Sequence, residues 1–165
     1  MGKAFGYVNA DGKIAVNPQF ENAGAFSEGL AAVRLDKRWG YIDKTGKMIV
    51  NPQFEDAGIF VKGLAPVRLG KSWGFIDPQG KFVINPQFDD AGPFAEGLAR
   101  VKQDHRWGFI DPSGKLVINP QFDAAMDFSD GLARVGLGGG FAGNFIGRKI
   151  GYVDTAGKYV WNPQK

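Results

Sequence analysis

The chain contains no cysteine and a single histidine, His105, in 165 residues. The first absence excludes a disulfide framework and thiolate chemistry, and it leaves the compartment open, since cysteine-free chains suit the cytosol and export alike. No apolar run reaches 18 residues, so no membrane-spanning helix is expected, and Met1 to Val8 lacks the apolar core of a signal peptide. An exported or cell-envelope location is not excluded, because a leader removed ahead of Met1 would leave no trace. Neither sign of charge dominates: 20 Lys and Arg face 17 Asp and Glu, interleaved along the chain, for a net charge of +3. That balance does not point to nucleic acid. With 44% hydrophobic and 22% charged residues, the chain also lacks the signature of disorder.

What the chain does hold in quantity is glycine, 25 residues, and phenylalanine, 14, with four tryptophans. Glycine supplies turn positions with positive φ and the aromatics supply bulky filler, a pairing that predicts many short strands joined by tight turns. A chain of this length can bury roughly 70% of the surface its unfolded form exposes, so size permits one domain over 1–165.

Self-comparison decides the architecture. Gly6, Gly40, Gly74, Gly108 and Gly151 are separated by three steps of 34 residues and one of 43. Each unit reads approximately W-G-[YF]-[IV]-D-x-x-G-K-x-x-[IV]-N-P-Q-F-[ED]-x-A-x-x-F-x-x-G-L-A-x-V, with starts near 5, 39, 73, 107 and 150. Before the glycine stand Phe5, Trp39, Trp73, Trp107 and Ile150, always large and apolar, with tryptophan in the three central units; end units of repeat arrays are commonly atypical. The extra length in the last step falls in Gly136–Lys149, the one stretch that breaks the rule.

Trp107 to Ile110, the turn Asp111-Pro112-Ser113-Gly114, and Lys115 to Ile118 read as a β-hairpin. Proline presets φ, the leading Asp bonds turn backbone, and Gly114 takes the left-handed position of a type I turn with a bulge. The pattern recurs at 9–12, 43–46, 77–80 and 154–157. A third strand is expected at Leu98 to Lys102, joined to the Trp-Gly strand through Gln103 to Arg106. Asn85 to Phe94, with its proline, predicts a bend followed by a loop or a short edge strand. Both faces of the Trp-Gly strand carry bulky residues, so neighbouring units must cover each other. The fold class predicted is therefore all-β, a tandem array of about five hairpin or three-stranded meander repeats. The first unit lacks a strand before Phe5 and the last lacks one after Gln164, which favours an open superhelix over the alternative, a small closed propeller-like arrangement.

On these residues the chain resembles the WG, or KWG, repeat family of bacterial β-repeat proteins, over almost all of Phe5 to Gln164 outside 136–149. The resemblance implies a β-rich interaction or structural module, often in exported or envelope proteins, with no catalytic residues to carry over.

Residues present in every unit are most simply explained by the folding of the unit, whereas a catalytic site needs an asymmetric, convergent set. Asp43, Asp77, Asp111 and Asp154 read as turn-bonding residues. Phe20, Phe54, Phe88 and Phe122, with Phe26, Phe60, Phe94 and Phe128, read as packing between repeats. Trp39, Trp73 and Trp107, each beside its glycine (Gly40, Gly74, Gly108; Gly151 in the last unit), read as ring-over-backbone packing; Trp161 replaces a valine or isoleucine and is a cap or a contact residue. Lys13, Lys47, Lys81, Lys115 and Lys158 form a row that keeps hairpin tips soluble. His105 beside Asp104 has no nucleophile or second histidine in a recognisable motif, and Gly138-Gly139-Gly140 is not followed by the Lys-Ser/Thr of a phosphate loop. No enzyme, cofactor or metal is predicted.

The expected function is a scaffold for protein–protein interaction. Its contact residues are assigned to the irregular segment and the last hairpin: Phe141, Asn144, Phe145, Ile146, Arg148 and Trp161. The alternative is a carbohydrate or cell-envelope glycan module, motivated by an aromatic content of 13%. Oligomeric state is not legible.

Overall fold

A computed structural model describes residues 4–139 and 145–162. Every regular element among them is a β-strand, and the strands form five antiparallel sheets. The first sheet has two strands, β1 (Phe5–Val8) and β2 (Ile14–Phe20). The second runs β3 (Asn22–Ala23), β4 (Leu30–Leu35), β5 (Arg38–Asp43), β6 (Met48–Phe54), and the third β7 (Asp56–Ala57), β8 (Ala65–Leu69), β9 (Ser72–Ile76), β10 (Phe82–Phe88). The fourth is β11 (Asp90–Ala95), β12 (Leu98–Gln103), β13 (Arg106–Ile110), β14 (Leu116–Phe122), and the fifth β15 (Ala124–Ala125), β16 (Leu132–Leu137), β17 (Lys149–Asp154), β18 (Tyr159–Trp161). Strands follow sequence order across each sheet, so every connection is a hairpin. The chain divides into two compact units, Met1–Pro86 and Gln87–Lys165.

Four strands per sheet, where the sequence pattern predicts two or three, reflect two findings. The stretch after Asn-Pro-Gln-Phe resolves to a short edge strand, and Asn-Pro-Gln-Phe itself continues the strand instead of bending out of it. Proline is tolerated there because the ladder is already broken: Trp39 pairs with Phe54 and Tyr41 with Val50, so Gly40 alone faces Asn51, Pro52 and Gln53. The bulge presses onto the glycine. A Cβ on Gly40 would lie 2.4 Å from the Val50 carbonyl oxygen and 2.8 Å from the Pro52 nitrogen; Gly6, Gly74 and Gly108 meet the same obstacle at 2.4, 2.6 and 2.5 Å. Close approach of backbone, and not φ, is thus what the glycine of the Trp-Gly pair provides.

Two kinds of turn join the strands within a sheet. At Asp43 the predicted type I turn with a bulge forms, with Gly46 N donating to the Asp43 carbonyl and the Thr45 and Lys47 amides donating to Asp43 Oδ1 at 2.9 and 3.0 Å. Between the first and second strands of a sheet, Ser27-Glu28-Gly29-Leu30 closes with reciprocal backbone bonds and positive φ at both Glu28 (52°) and Gly29 (86°), the geometry of a type I′ turn. Asp104 and His105 do the same between β12 and β13, at φ 50° and 65°. These tips are also stitched along the array: the Glu28 carboxylate accepts the Lys62 and Gly63 amides at 2.6 and 2.8 Å, and Glu96 accepts Gly131 N at 2.9 Å.

In each unit the core is built by the aromatic that follows the Trp-Gly pair. Tyr41 is fully buried, meets Phe60 edge-on at 4.9 Å and donates its hydroxyl to the Gly58 carbonyl at 2.8 Å. Phe109 meets Phe128 at 4.8 Å in the second unit. On the opposite strand face, Val33 and Ile42 are buried in the first unit and Val101 and Ile110 in the second. Each such side chain contributes about 1.5–3 kcal/mol of burial.

Candidate functional site

The positions repeated in every sheet are occupied by the fold. The turn aspartates hold backbone amides, and the Thr45 and Ser113 hydroxyls donate to Asp43 and Asp111 at 2.6 Å. Those hydroxyl bonds, ahead of the amide bonds, hold both carboxyls below the ordinary aspartate range. The five lysines of the hairpin row stand exposed. Trp107 is buried under the Arg100 guanidinium, 5.3 Å from the ring centroid, with the Lys102 ammonium at 5.9 Å; Trp39 and Trp73 are half-buried. His105 is exposed, and its backbone amide points at Asp89 Oδ2, 3.3 Å away.

Sequence reasoning gave no role to the acid after Asn-Pro-Gln-Phe. Glu21, Glu55, Asp89 and Asp123 are the single residues at which the chain passes from one sheet to the next. Each donates its amide to a carbonyl of the neighbouring strand, and each turns its carboxylate onto the amide of a distant hairpin tip: Lys37, Gly70, His105 and Gly138 respectively. Arg38 pairs with Glu55, and Arg106 with Asp123 at 3.0 Å. The signal that could have found them is the same one that found the aspartates: an acid fixed in register.

The repeat breaks in the second unit, around β16 and β17. Where the other sheets have Arg34, Arg68 and Lys102, β16 has Gly136, and the space is filled by the segment that follows: a Cβ there would lie 3.0 Å from Arg148 Cδ and 3.3 Å from the Phe145 ring. Ladder pairs Gly136 with Ile150 and Leu137 with Lys149 carry both strands into the ends of the irregular stretch. Arg148 is almost fully buried, donating to the Gly138 carbonyl at 2.8 Å and lying 3.7 Å from Asp123, while the Arg134 guanidinium stacks over Phe145 at 4.5 Å. Phe145 and Arg148 are therefore held by their own sheet. Ile146 is 76% exposed, and Phe141 and Asn144 lie outside the described residues.

Beside this corner is a shallow depression of about 430 Å³ lined by Met126, Asp127, Ser129, Asp130, Leu132, Arg134 and Tyr152. Two of these depart from the repeat: Met126 stands where Gly24, Gly58 and Gly92 stand, and Asp127 replaces Ala25, Ile59 and Pro93; Arg134 matches Arg100, and Tyr152 differs from Tyr41 in being open. Burial pushes the Asp127 carboxyl up, against the opposing pull of Arg100, whose Nε is 3.4 Å away. Tyr152 is 37% exposed where Tyr41, Phe75 and Phe109 are at zero, and its ring lies 6.3 Å from that of Trp161, itself 56% exposed. Trp161 is thus brought beside Tyr152, which lines the depression together with Met126 and the charged Asp127, Asp130 and Arg134. Among the described residues no three His, Cys, Asp or Glu converge as metal ligands, and no helix is long and apolar enough to cross a membrane.

Compared with known proteins, residues 5–39, 39–72, 73–105 and 107–141 each match the model of the WG containing repeat. No curated protein matches in sequence. Among solved structures, the crystal structure of a eukaryotic initiation factor superposes with a TM-score of 0.60 at 13% identity, covering 94% of this chain and 48% of that one. KlHsv2 with loop 6CD replaced by a Gly-Ser linker superposes at 0.51 and 10% identity, covering 84% and 51%. The chain spans about half the length of either, and at these identities the likeness concerns the fold alone.

Proposed function

The chain belongs to the WG repeat family, a repeat module that is generally non-catalytic, and from that premise we propose that it is a binding scaffold whose partner is another protein. The observation that carries this reading is the open rim of Met126, Tyr152 and Trp161 beside the depression at Asp127, Asp130 and Arg134. In the three central sheets the equivalent aromatics, Tyr41, Phe75 and Phe109, are fully covered; here Tyr152 faces solvent next to a second exposed ring. Aromatic anchors with a satisfied polar rim are the usual composition of a protein contact. Ile146, in the irregular segment, is a further exposed apolar side chain, at 76%. The residues lining this depression do not form a recognisable catalytic set: Arg100 faces Asp127, and the Ser129 hydroxyl has only the neighbouring Asp130 carboxylate, at a long 3.4 Å, with no histidine in the lining.

A glycan is the second reading, because Tyr152 and Trp161 also present stacking faces. One experiment separates the two. A photoreactive phenylalanine at position 161 is expected to crosslink a discrete protein band, and Tyr152→Ser to abolish it. Crosslinking that vanishes after muramidase digestion of the lysate would replace the protein with a glycan; no crosslink at 161 would refute this surface altogether.

A further inference from the structure

A two-residue hairpin turns its two central amides away from the ladder, and successive amides in such a turn make a small concavity suited to an anion. Among the described residues these tips are 28–29, 62–63, 96–97 and 130–131, with 36–37, 70–71 and 104–105 on the other side of the strands. A carboxylate of the chain closes five of them. Glu21, Glu55 and Asp89 hold the amides of Lys37, Gly70 and His105; Glu28 holds both amides of 62–63, at 2.6 and 2.8 Å; Glu96 holds Gly131 N at 2.9 Å.

The acid that serves 62–63 or 130–131 stands 34 or 35 residues earlier in the chain. For 28–29 that position falls ahead of Met1. For 96–97 it falls inside the chain and on Lys62, whose ammonium has no lone pair to offer. Among the described residues no side chain accepts from the Glu96 or Gly97 amide. Glu96 does not close its own tip, because its carboxylate is the one that accepts Gly131 N.

The geometry of this tip is that of its occupied counterparts. Glu96 and Gly97 have φ of 53° and 89°, against 50° and 75° at Lys62 and Gly63 and 53° and 78° at Asp130 and Gly131. The approach is open: a Cβ on Gly97 would meet nothing within 4 Å, as at Gly63 and Gly131.

We propose that the tip Glu96-Gly97 is a carboxylate-binding site, whose two amides take the side chain of an Asp or Glu on a second polypeptide as those of 62–63 take Glu28. The class of occupant follows from the chain itself, which fills its other tips with side-chain carboxylates. Hydrogen bonds to an ionised acceptor are the stronger kind, and two parallel ones fix its orientation. None of these residues belongs to the rim of Met126, Tyr152 and Trp161, so the fate of one surface does not decide the other.

The test uses the intact chain, labelled with 15N, and glutamate acetylated at its amine and amidated at its α-carboxyl, so that the side chain is the only carboxylate. Titration is expected to move the Glu96 and Gly97 amide protons downfield along a saturable curve, while the glutamine counterpart of the probe leaves them in place and the filled tip at 62–63 does not respond. Glu28→Ala empties that second tip, and a new saturable response is expected at 62–63 with 96–97 unchanged; the wild-type titration stands without this variant should it fail to fold. No saturable shift at 96–97 with the probe on the order of 0.1 M would overturn the proposal. Equal shifts from the glutamine probe, or equal shifts at the filled tips of the wild-type chain, would do the same. Saturation by N-acetylglycine without any by the glutamate probe would replace the side chain with a chain terminus and overturn the assigned occupant.

Discussion

Replacing Gly108 by alanine tests the account of the Trp-Gly pair most directly. The added Cβ would sit 2.5 Å from the Ile118 carbonyl oxygen, 2.7 Å from the Pro120 nitrogen and 2.9 Å from the Asn119 carbonyl carbon, all backbone atoms. The nearest is about 0.9 Å short of an ordinary 3.4 Å contact, and no rotamer change can relieve it. The bulge would have to withdraw, loosening Trp107 against Phe122 and Phe109 against Ile118, the pairs that flank it. Overpacking of this kind costs about 1–3 kcal/mol, and the immovable backbone puts the expected loss near ~3 kcal/mol, less a few tenths from the stiffer unfolded chain. In a domain of this length that lowers the melting temperature by roughly 6–12 °C. Gly131→Ala is the control: its φ is +78° but nothing lies within 4 Å of the new Cβ, so only the left-handed strain of about 1 kcal/mol is expected. Thermal and urea melts by circular dichroism decide. If Gly108→Ala lost no more than Gly131→Ala, the close-approach explanation would be wrong.

Three further outcomes follow from the same structure. Tyr41→Phe should lose about 1 kcal/mol, since it removes one buried hydroxyl bond to Gly58 at 2.8 Å while phenylalanine already serves at positions 75 and 109; a loss above 3 kcal/mol in urea melts would contradict this, as would a Tyr41 phenol that ionises before the fold opens, because burial first and then Asp56 push it up. The folded-state pKa of Asp43 and Asp111 is lowered, so their contribution is present above the unfolded aspartate pKa and lost as pH falls through the depressed folded value. Asp43→Asn with Asp111→Asn should therefore flatten the acid limb of a stability–pH curve, and an unchanged limb would refute the turn-bonding role. Acrylamide should quench Trp161 first and Trp107 least, so Trp161→Phe should remove most of the readily quenched fluorescence; equal quenching before and after would show that the rim is not open as described.

The open rim is the part of the candidate site that pattern alone did not deliver. Trp161 was legible because it breaks the repeat, and so was the irregular stretch. The use of Phe145 and Arg148 within their own sheet was not, because it depends on the vacancy above Gly136, and a missing side chain makes sense only beside the ones that enter its space. Asp127 and Met126 were equally visible as departures from Ala25 and Gly24, yet a departure carries meaning only once Arg100 and Tyr152 are seen to converge on it.

By itself the sequence determined the strand count within an edge strand per sheet, the hairpin turn at each Asp-x-x-Gly, the row of exposed lysines and the family. All of these are set by contacts within a few residues or by exact repetition, and both are readable along one dimension. Only the tertiary structure decided why glycine follows tryptophan and why proline is allowed inside a strand. The same holds for the acid that closes each corner and for the coverage of Tyr41 that Tyr152 lacks. Those answers rest on atoms that are 10 to 35 residues apart in the chain and 2.4 to 5 Å apart in space, a distance no periodicity records.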